Sequence, residues 1–196
     1  MILGVHSATF VKNWHEDVKP YIHLCKKAGY KSVEVSLLGQ TPSSAKEIAK
    51  LANDLNISIT CTTGLSNEED ISSSDPVIQQ NGVDALKRAI DMTAIMQAKL
   101  LTGVVHAAWG ISNSMGKDKE GKFQNSSHSI KKITSFLSEK NIKLGIEPLN
   151  RYESDFINTV DEGIRLCELI DHPNVGLLLD AYHMNIEEKN MCQSIE

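Results

Sequence analysis

The sequence alternates short apolar segments with longer amphipathic ones, and this alternation constrains the fold more than any other feature. The apolar segments are rich in β-branched residues, as strands are, whereas the intervening stretches carry apolar residues at helical spacing, as in Ala45, Ile48, Ala49 and Ala52. Strands that alternate with helices form a parallel sheet, because a parallel partner is reached only through a long crossover. The pattern therefore predicts an α/β fold. The six apolar segments are Ile2 to Val5, Ser32 to Val35, Ile57 to Cys61, Leu100 to Val105, Lys143 to Ile146 and Val175 to Leu179.

Local signals support the helices between these segments. Asp75-Pro76 offers an N-cap followed by a proline in the first turn, and Thr159 with Glu162 has the spacing of a capping box. Gly29 follows an amphipathic stretch and indicates a helix end. The predicted elements therefore do not depend on hydrophobicity alone.

Two architectures fit the alternation, a doubly wound sheet and a barrel. The longest polar connections follow the carboxyl ends of strands, above all Gly64 to Pro76 and Ala107 to Ser127. Both architectures place their functional sites at the carboxyl ends of the strands. A dinucleotide binder should carry a glycine-rich turn after an early strand, but His6-Ser7-Ala8-Thr9 follows the first one and no G-x-G-x-x-G or G-K-[ST] occurs. A barrel normally has about eight strands, and this sequence contains six candidates.

Composition narrows the class of protein. The 196 residues suit a single domain, 1–196, and the formal charge of −5 leaves no basic field for nucleic acid. The four cysteines are far apart and form no C-x-x-C pair, which indicates free thiols in a reducing cytoplasm. The segment Met1 to His6 has neither the positive flank of a leader nor the length of a membrane span. We expect a cytoplasmic domain that binds neither nucleic acid nor membrane.

Two carboxylates end neighbouring predicted strands. Glu147 comes directly after the run Lys143 to Ile146 and precedes Pro148, which holds it in extended geometry. Asp180 ends the next run, so the two carboxylates are expected about one strand spacing apart, roughly 5 Å. Two acids that close repel each other, and a divalent cation such as Mn²⁺, Co²⁺ or Mg²⁺ relieves the repulsion. The competing interpretation is that each acid caps the helix that follows it.

Other side chains near these acids are open to two interpretations each. His183 could bind a substrate hydroxyl or orient a ligand, or it could be an ordinary loop histidine. Glu153 could face the same pocket or pair with Arg151. Trp14 and Trp109 are either platforms for a sugar ring or core residues. Further polar residues at predicted strand ends are His6, Thr62 and His106.

Three blocks of sequence occur at a spacing that is typical of a known family. They are Glu147-Pro148-Leu149-Asn150-Arg151-Tyr152-Glu153, then Ile157-Asn158-Thr159 with Glu162-Gly163, and Leu179-Asp180-Ala181-Tyr182-His183-Met184-Asn185-Ile186-Glu187-Glu188. In these blocks the chain resembles the D-tagatose/D-psicose (D-allulose) 3-epimerases of the xylose-isomerase-like barrels. The resemblance implies an incomplete (β/α)8 TIM barrel with about six βα units present.

The resemblance also implies an isomerase that epimerises a free ketose at C3 by removing and returning a proton through an enediolate. Glu147 would be both a metal ligand and a proton-transfer acid, and Asp180 would be a second metal ligand. Mn²⁺ or Co²⁺ would be the preferred cofactor, with Mg²⁺ as a further candidate. The substrate-binding residues would be Glu153, His183, Trp14 and Trp109.

The sequence departs from the family at its pocket and at its end. His6 stands where the resemblance implies an aromatic residue, and the Ala107-Ala108 pair is small, which leaves the substrate preference open. The resemblance implies that the remaining metal ligands are a histidine on a seventh strand and a glutamate on an eighth. That glutamate would also be the second proton-transfer acid, and we expect both strands to be lacking from 1–196. Open sheet edges would then favour association with a second copy.

Several interpretations follow from this resemblance. The chain is an incomplete epimerase with little activity, or an epimerase completed by another polypeptide, or a sugar-binding remnant without chemistry. Within the same barrel group, a hydroxypyruvate or inosose-type isomerase is the alternative enzyme. Activity that rises with protein concentration would indicate completion by another polypeptide. Ketose binding without metal would indicate a sugar-binding remnant. Turnover of hydroxypyruvate would indicate the alternative enzyme.

Overall fold

The computed structural model describes residues 2–14, 16–110 and 118–196, and its centre is one six-stranded sheet. Each strand overlaps one of the six apolar segments, although the first four strands, β1 to β4, extend beyond the predicted ends. The prediction of six strands is confirmed. The strands are β1 Gly4–His6, β2 Ser32–Ser36, β3 Ser58–Leu65, β4 Leu100–Ala108, β5 Lys143–Ile146 and β6 Val175–Leu177.

The strands are all parallel and lie in the order β1-β2-β3-β4-β5-β6. A doubly wound sheet reverses its strand order at a switch point, whereas a barrel adds each strand beside the previous one. The sequential order therefore identifies six consecutive units of a barrel-type α/β fold. Within the described residues β1 pairs only with β2 and β6 only with β5, so both are edge strands.

Helices follow the strands and cover the outer face of the sheet. The predicted loop from Ala107 to Ser127 is wrong from Lys119 onward, because the first helix after β4 already begins there; residues 111–117 lie outside the described part. None of the helices in the described ranges is long and apolar enough to cross a membrane. The helices are α1 Lys19–Lys27, α2 Pro42–Asp54, α3 Pro76–Ile95, α4 Lys119–Lys131, α5 Thr134–Lys140, α6 Val160–Ile170, α7 Ala181–Glu187 and α8 Met191–Ile195, with 3-10 turns at Ser7–Thr9 and Asn67–Glu69.

The predicted helix boundaries are confirmed by hydrogen bonds. The Asp75 side chain accepts from the amide of Val77 at 2.8 Å and caps α3. Thr159 accepts from the amide of Glu162 and caps α6, while the Glu162 carboxylate accepts from the amide of Asn158. Thr159 thus satisfies one free amide of the first turn of α6, and the carboxylate of Glu188 accepts from another, that of Val160, at 2.8 Å.

The core lies between the sheet and the helices and contains fully buried residues such as Leu86, Leu101 and Ile130. His106 was expected at a strand end with the other polar residues, and this prediction is wrong. His106 lies within β4 and is completely buried. Its ring packs against that of Phe156, with 5.8 Å between the centroids. Neither ring nitrogen has a hydrogen-bond partner among the described residues. The strand continues to Ala108, so His106 belongs to the core and not to the cavity.

Candidate active site

A cavity of about 430 Å³ opens at the carboxyl ends of the strands. This is the edge where parallel α/β folds place their sites, because the variable loops converge there. Every strand of the sheet or the segment directly after it contributes to the lining, so the whole sheet shapes the cavity. The lining residues are His6, Ala8, Trp14, Glu34, Ser36, Leu38, Thr62, Thr63, Gly64, Gly103, Val104, Trp109, Glu147, Leu149, Glu153, Leu178, Leu179, Asp180 and His183.

Glu147 follows β5 directly and turns its side chain into the cavity, where 15% of it is exposed. Burial raises the pKa of Glu147 to about 7, and the neighbouring carboxylates of Asp180, Glu34 and Glu153 add to the increase. The negative charge on Glu147 is therefore costly without a cation, since both desolvation and like charges oppose it.

Asp180 serves two purposes at the N-terminus of α7. Its Oδ1 accepts from the amide of Tyr182 at 2.7 Å and caps the helix, as the competing interpretation of the sequence required. Its Oδ2 lies on the cavity side, 3.9 Å from Nε2 of His183. The cap uses one oxygen and leaves the other at the rim, so the two interpretations are compatible.

His183 is buried in the wall between these two acids. Its Nδ1 accepts from the backbone amide of Asn150 at 3.2 Å, and the Asn150 side chain lies 2.8 Å from the same nitrogen. A backbone amide can only donate, so Nδ1 carries no proton and the neutral ring is protonated at Nε2. Nε2 lies 3.8 Å from Glu147 Oε1 and 3.9 Å from Asp180 Oδ2, on the cavity side of the ring. His183 is therefore held as a hydrogen-bond donor to the centre of the site.

One oxygen each of Glu147 and Asp180 and one nitrogen of His183 lie within 4.8 Å of one another, a cluster that could hold a metal ion. Carboxylate oxygens suit hard and borderline divalent cations, and a cation would remove the repulsion that raises the pKa of Glu147. The protonated Nε2 of His183 is unsuited to be a ligand in this tautomer. The donor chemistry therefore fits a cation bound by the two carboxylates.

Glu153 lines the cavity, and its pairing with Arg151 is not observed. The Glu153 carboxylate accepts from the side chain of Asn150 at 2.9 Å. Arg151 instead forms a bidentate pair with Glu187, with N–O distances of 2.8 and 2.9 Å. Asn150 thus orients both Glu153 and His183.

The two tryptophans are not core residues. Trp14 is 37% and Trp109 43% exposed, and both line the cavity with their rings in an edge-to-face arrangement at 6.2 Å between centroids. All six residues that the sequence singled out for the site therefore lie around one cavity. They are Glu147, Asp180, Glu153, His183, Trp14 and Trp109.

Sequence reasoning missed Glu34, whose side chain lines the cavity from β2. Its Oε1 accepts from the hydroxyl of buried Thr102 on β4 at 2.7 Å. A signal was available, because Glu34 lies between Val33 and Val35 in a strand that is otherwise buried. A charged residue at the centre of a buried strand needs a partner or a polar cavity.

Comparisons with known proteins decide the family. A family model described as xylose isomerase-like TIM barrel matches residues 22–195. The chain belongs to the xylose isomerase-like TIM barrel family. The fold and the family that the three sequence blocks implied are thereby confirmed.

Several relatives of the chain are named as ketose 3-epimerases, a class of isomerase. The D-psicose 3-epimerase of Ruminiclostridium cellulolyticum is 30% identical over 98% of this xylose isomerase-like chain and 67% of its own length. The L-ribulose 3-epimerase of a Methylomonas species is also 30% identical, over 98% and 67% of the two chains. The crystal structure of a D-psicose 3-epimerase in the presence of D-fructose superposes with a TM-score of 0.94 at 29% identity and covers 100% of this chain and 68% of that one. The chain therefore spans about two thirds of the length of the relatives it matches.

Proposed function

We propose that this protein catalyses the metal-dependent epimerisation of a free ketose at C3. The observation that carries the proposal is the convergence of Glu147 and Asp180 at the carboxyl ends of β5 and β6, beside a hydrogen-bond donor and within a cavity of sugar size. The names of the epimerase relatives support the same reaction. Because the chain spans about two thirds of those relatives, the activity of the complete proteins is part of the proposal and not of the finding.

Glu147 and Asp180 would hold the metal, with Mn²⁺ or Co²⁺ as the first candidates and Mg²⁺ as the third. When bound, such an ion polarises a carbonyl and an adjacent hydroxyl, which lowers the cost of forming an enediolate. The site has only hard oxygen donors from these two residues, which disfavours a thiol-preferring metal.

Glu147 is the proposed base that takes the C3 proton from one face of the sugar. Inversion at C3 also needs an acid that returns a proton on the opposite face. The resemblance implies a glutamate on an eighth strand for this step, and the sheet formed by the described residues has six strands. The side chain of Glu147 is 15% exposed, and burial makes a carboxylate a better proton acceptor than one in water. Pro148 and the end of β5 hold the backbone, so the carboxylate is positioned before substrate arrives.

Three further contacts would orient the ketose. The Nε2–H of His183 donates to a substrate oxygen near the carbonyl end, and Glu153, fixed by Asn150, accepts from a hydroxyl on the same side. Trp14 and Trp109 cover the apolar face of the sugar, as aromatic rings do in carbohydrate sites. These side chains bind and orient the substrate and do not transfer the proton.

The test of Glu147 is the variant Glu147→Gln. In deuterated water with Mn²⁺, wild-type protein is expected to incorporate deuterium at C3 of D-psicose or D-fructose, and the variant is expected to lose at least about 100-fold of that rate because the base is removed. The matched control is Glu139→Gln, since Glu139 is a surface glutamate with a 69% exposed side chain outside the cavity. Exchange at the wild-type rate in Glu147→Gln would rule out this role.

Two alternatives have distinct outcomes in the same experiment. A hydroxypyruvate or inosose-type isomerase would turn over its own substrate while leaving the ketohexoses without deuterium. A sugar-binding remnant would bind ketoses with no exchange in any of them, with or without metal.

Three expectations from the sequence remain predictions. They are the cytoplasmic location, the single domain over 1–196, and a homo-oligomer formed at the edges of β1 and β6.

A further inference from the structure

We propose that His6 and Glu34 form a subsite for one hydroxyl group at the end of the ketose that is remote from its carbonyl. This inference rests on the proposed function and extends it to substrate selection. His6 ends β1 and Glu34 lies on β2, and both line the cavity that contains Glu147 and Asp180. Neither residue is used by the proton-transfer chemistry described above.

His6 is held as a neutral hydrogen-bond donor. Its Nδ1 accepts from the backbone amide of Ala8 at 2.9 Å, so the ring proton is at Nε2. Burial lowers the pKa of His6, which favours the neutral ring, although the charge of Glu34 opposes this effect. The ring edge meets Trp14 at 6.0 Å between centroids, which restricts its rotation. The protonated Nε2 therefore lies on the side of the ring that is near Glu34.

Glu34 is held as a hydrogen-bond acceptor. The hydroxyl of Thr102, a residue only 1% exposed, donates to its Oε1 at 2.7 Å. The second oxygen, Oε2, lies 3.9 Å from Nε2 of His6. The bond from Thr102 thus restrains one oxygen of Glu34 and leaves the other on the side of His6.

The distance of 3.9 Å between Glu34 and His6 is too long for a hydrogen bond, which ends near about 3.5 Å. One donor and one acceptor are thus left facing a common space. A hydroxyl group both donates and accepts, so it satisfies both residues at once. A bound cation would be opposed by the His6 N–H and a bound anion by the Glu34 carboxylate, so the pair selects a neutral hydroxyl.

The position of the pair in the sheet places it at the remote end of the substrate. Two strands, β3 and β4, separate Glu34 on β2 from Glu147 after β5, which corresponds to about 14 Å along the sheet. The curvature of the sheet brings both to one cavity, and the charge of Glu34 still contributes to the raised pKa of Glu147. A ketose with its carbonyl at Glu147 therefore extends its last carbons toward His6 and Glu34.

The pair would distinguish ketoses by their last hydroxyl. Two of the relatives are named for a six-carbon and a five-carbon ketose at the same 30% identity, so overall similarity does not settle the choice for this chain. A subsite that binds a terminal hydroxyl favours the ketohexose over an analogue that lacks it, because the analogue leaves both polar groups unpaired.

The test measures binding and not turnover, using the fluorescence of Trp14 and Trp109, which line the cavity. D-fructose, 6-deoxy-D-fructose and D-ribulose are titrated into wild-type protein with Mn²⁺ present. We expect D-fructose to bind at least about tenfold more tightly than the two sugars without the C6 hydroxyl, which corresponds to about 1.4 kcal/mol. In Glu34→Gln, whose amide places a second donor opposite His6, this ratio should fall to about one.

Two further variants keep the proposal testable if Glu34→Gln unfolds, which circular dichroism will detect. His6→Phe removes the donor and Thr102→Val removes the bond that positions Glu34, and both should lower the ratio, whereas the surface control Glu139→Gln should keep it. An unchanged ratio in folded Glu34→Gln or His6→Phe, or the absence of any preference in wild-type protein, would overturn the subsite. Retained preference without C3 exchange would instead contradict the epimerase activity and leave the subsite supported.

Discussion

At the scale of single residues, His106 makes stability depend on pH. Complete burial lowers the pKa of His106 to about 3, whereas a histidine in an unfolded chain titrates near about 6.5. Between these values the unfolded chain binds a proton that the folded chain does not, so stability is lost as the pH falls below about 6.5. The loss from this residue alone should reach about 2 kcal/mol at about pH 5.

Urea unfolding at neutral pH and at about pH 5 measures this effect, with His106→Leu as the control. The leucine is apolar and fills a comparable space against Phe156. Titration of the carboxylates affects both proteins alike, so the difference between their pH-dependent losses isolates His106. Equal losses in the two proteins would show that His106 is not a buried neutral group.

Sequence reasoning worked for residues whose role follows from their place on a strand. Glu147 and Asp180 end two consecutive apolar runs, and parallel strands bring their ends together whatever the rest of the chain does. Glu34 was missed because its signal, a charged residue within a buried strand, indicates either a buried partner or a polar cavity, and only the folded sheet shows that it faces the cavity. The tautomer of His183 depends on a contact with Asn150, 33 residues away, which no local pattern contains.

At the scale of elements, Gly82 determines how closely α3 approaches the turn Asn67–Glu69. A Cβ at this position would lie 2.2 Å from the carbonyl oxygen of Glu69 and 2.4 Å from Cγ2 of Ile71. Alanine normally stabilises a helix interior by about 1 kcal/mol relative to glycine, but here the contact with backbone should outweigh that gain. We expect Gly82→Ala to destabilise the protein by about 1–3 kcal/mol.

Thermal unfolding followed by circular dichroism tests this prediction. Gly176→Ala on β6 is the matched control, because a Cβ there meets nothing within 4 Å. The control should unfold at the wild-type temperature or slightly above it. A Gly82→Ala protein as stable as the control would mean that α3 can shift away from the turn at little cost.

Helix and strand boundaries were predictable where a local signal exists. The caps at Asp75 and Thr159 formed as expected because they depend on neighbours within four residues. The helix from Lys119 was missed, since Lys119–Lys131 is rich in polar residues and its apolar contacts, such as Phe123 against Phe156, come from distant segments. Tertiary packing, and not local preference, stabilises this helix.

At the scale of the whole molecule, the site is a property of the complete six-stranded sheet. The proposed metal ligands follow β5 and β6, and the proposed hydroxyl subsite lies on β1 and β2. The strands between them, β3 and β4, line the same cavity, and Thr102 of β4 donates a hydrogen bond to Glu34. The alternation of strands and helices predicted the sheet, but only the sequential strand order distinguishes a barrel from a doubly wound fold. That order cannot be deduced from the alternation, because both folds alternate in the same way.

The same arrangement predicts that metal stabilises the folded protein. A cation that binds the native carboxylates of Glu147 and Asp180, but not the unfolded chain, raises the melting temperature by an amount that grows with the logarithm of its free concentration above the Kd. Mn²⁺ should therefore raise the melting temperature of wild-type protein and of Glu139→Gln, and should leave Asp180→Asn unchanged. Equal shifts in all three would place the bound metal elsewhere.

The most direct measurement is proton NMR of D-psicose in deuterated water with wild-type protein, once with Mn²⁺ and once with a chelator. The proposed site predicts that C3 of D-psicose gains deuterium only in the sample with metal, because Glu147 exchanges the proton on its own face of the sugar. Inversion to D-fructose additionally requires the second acid on the opposite face. A folded, metal-loaded protein that leaves the C3 proton of D-psicose in place would contradict the assignment of Glu147 and Asp180 to a ketose epimerase centre.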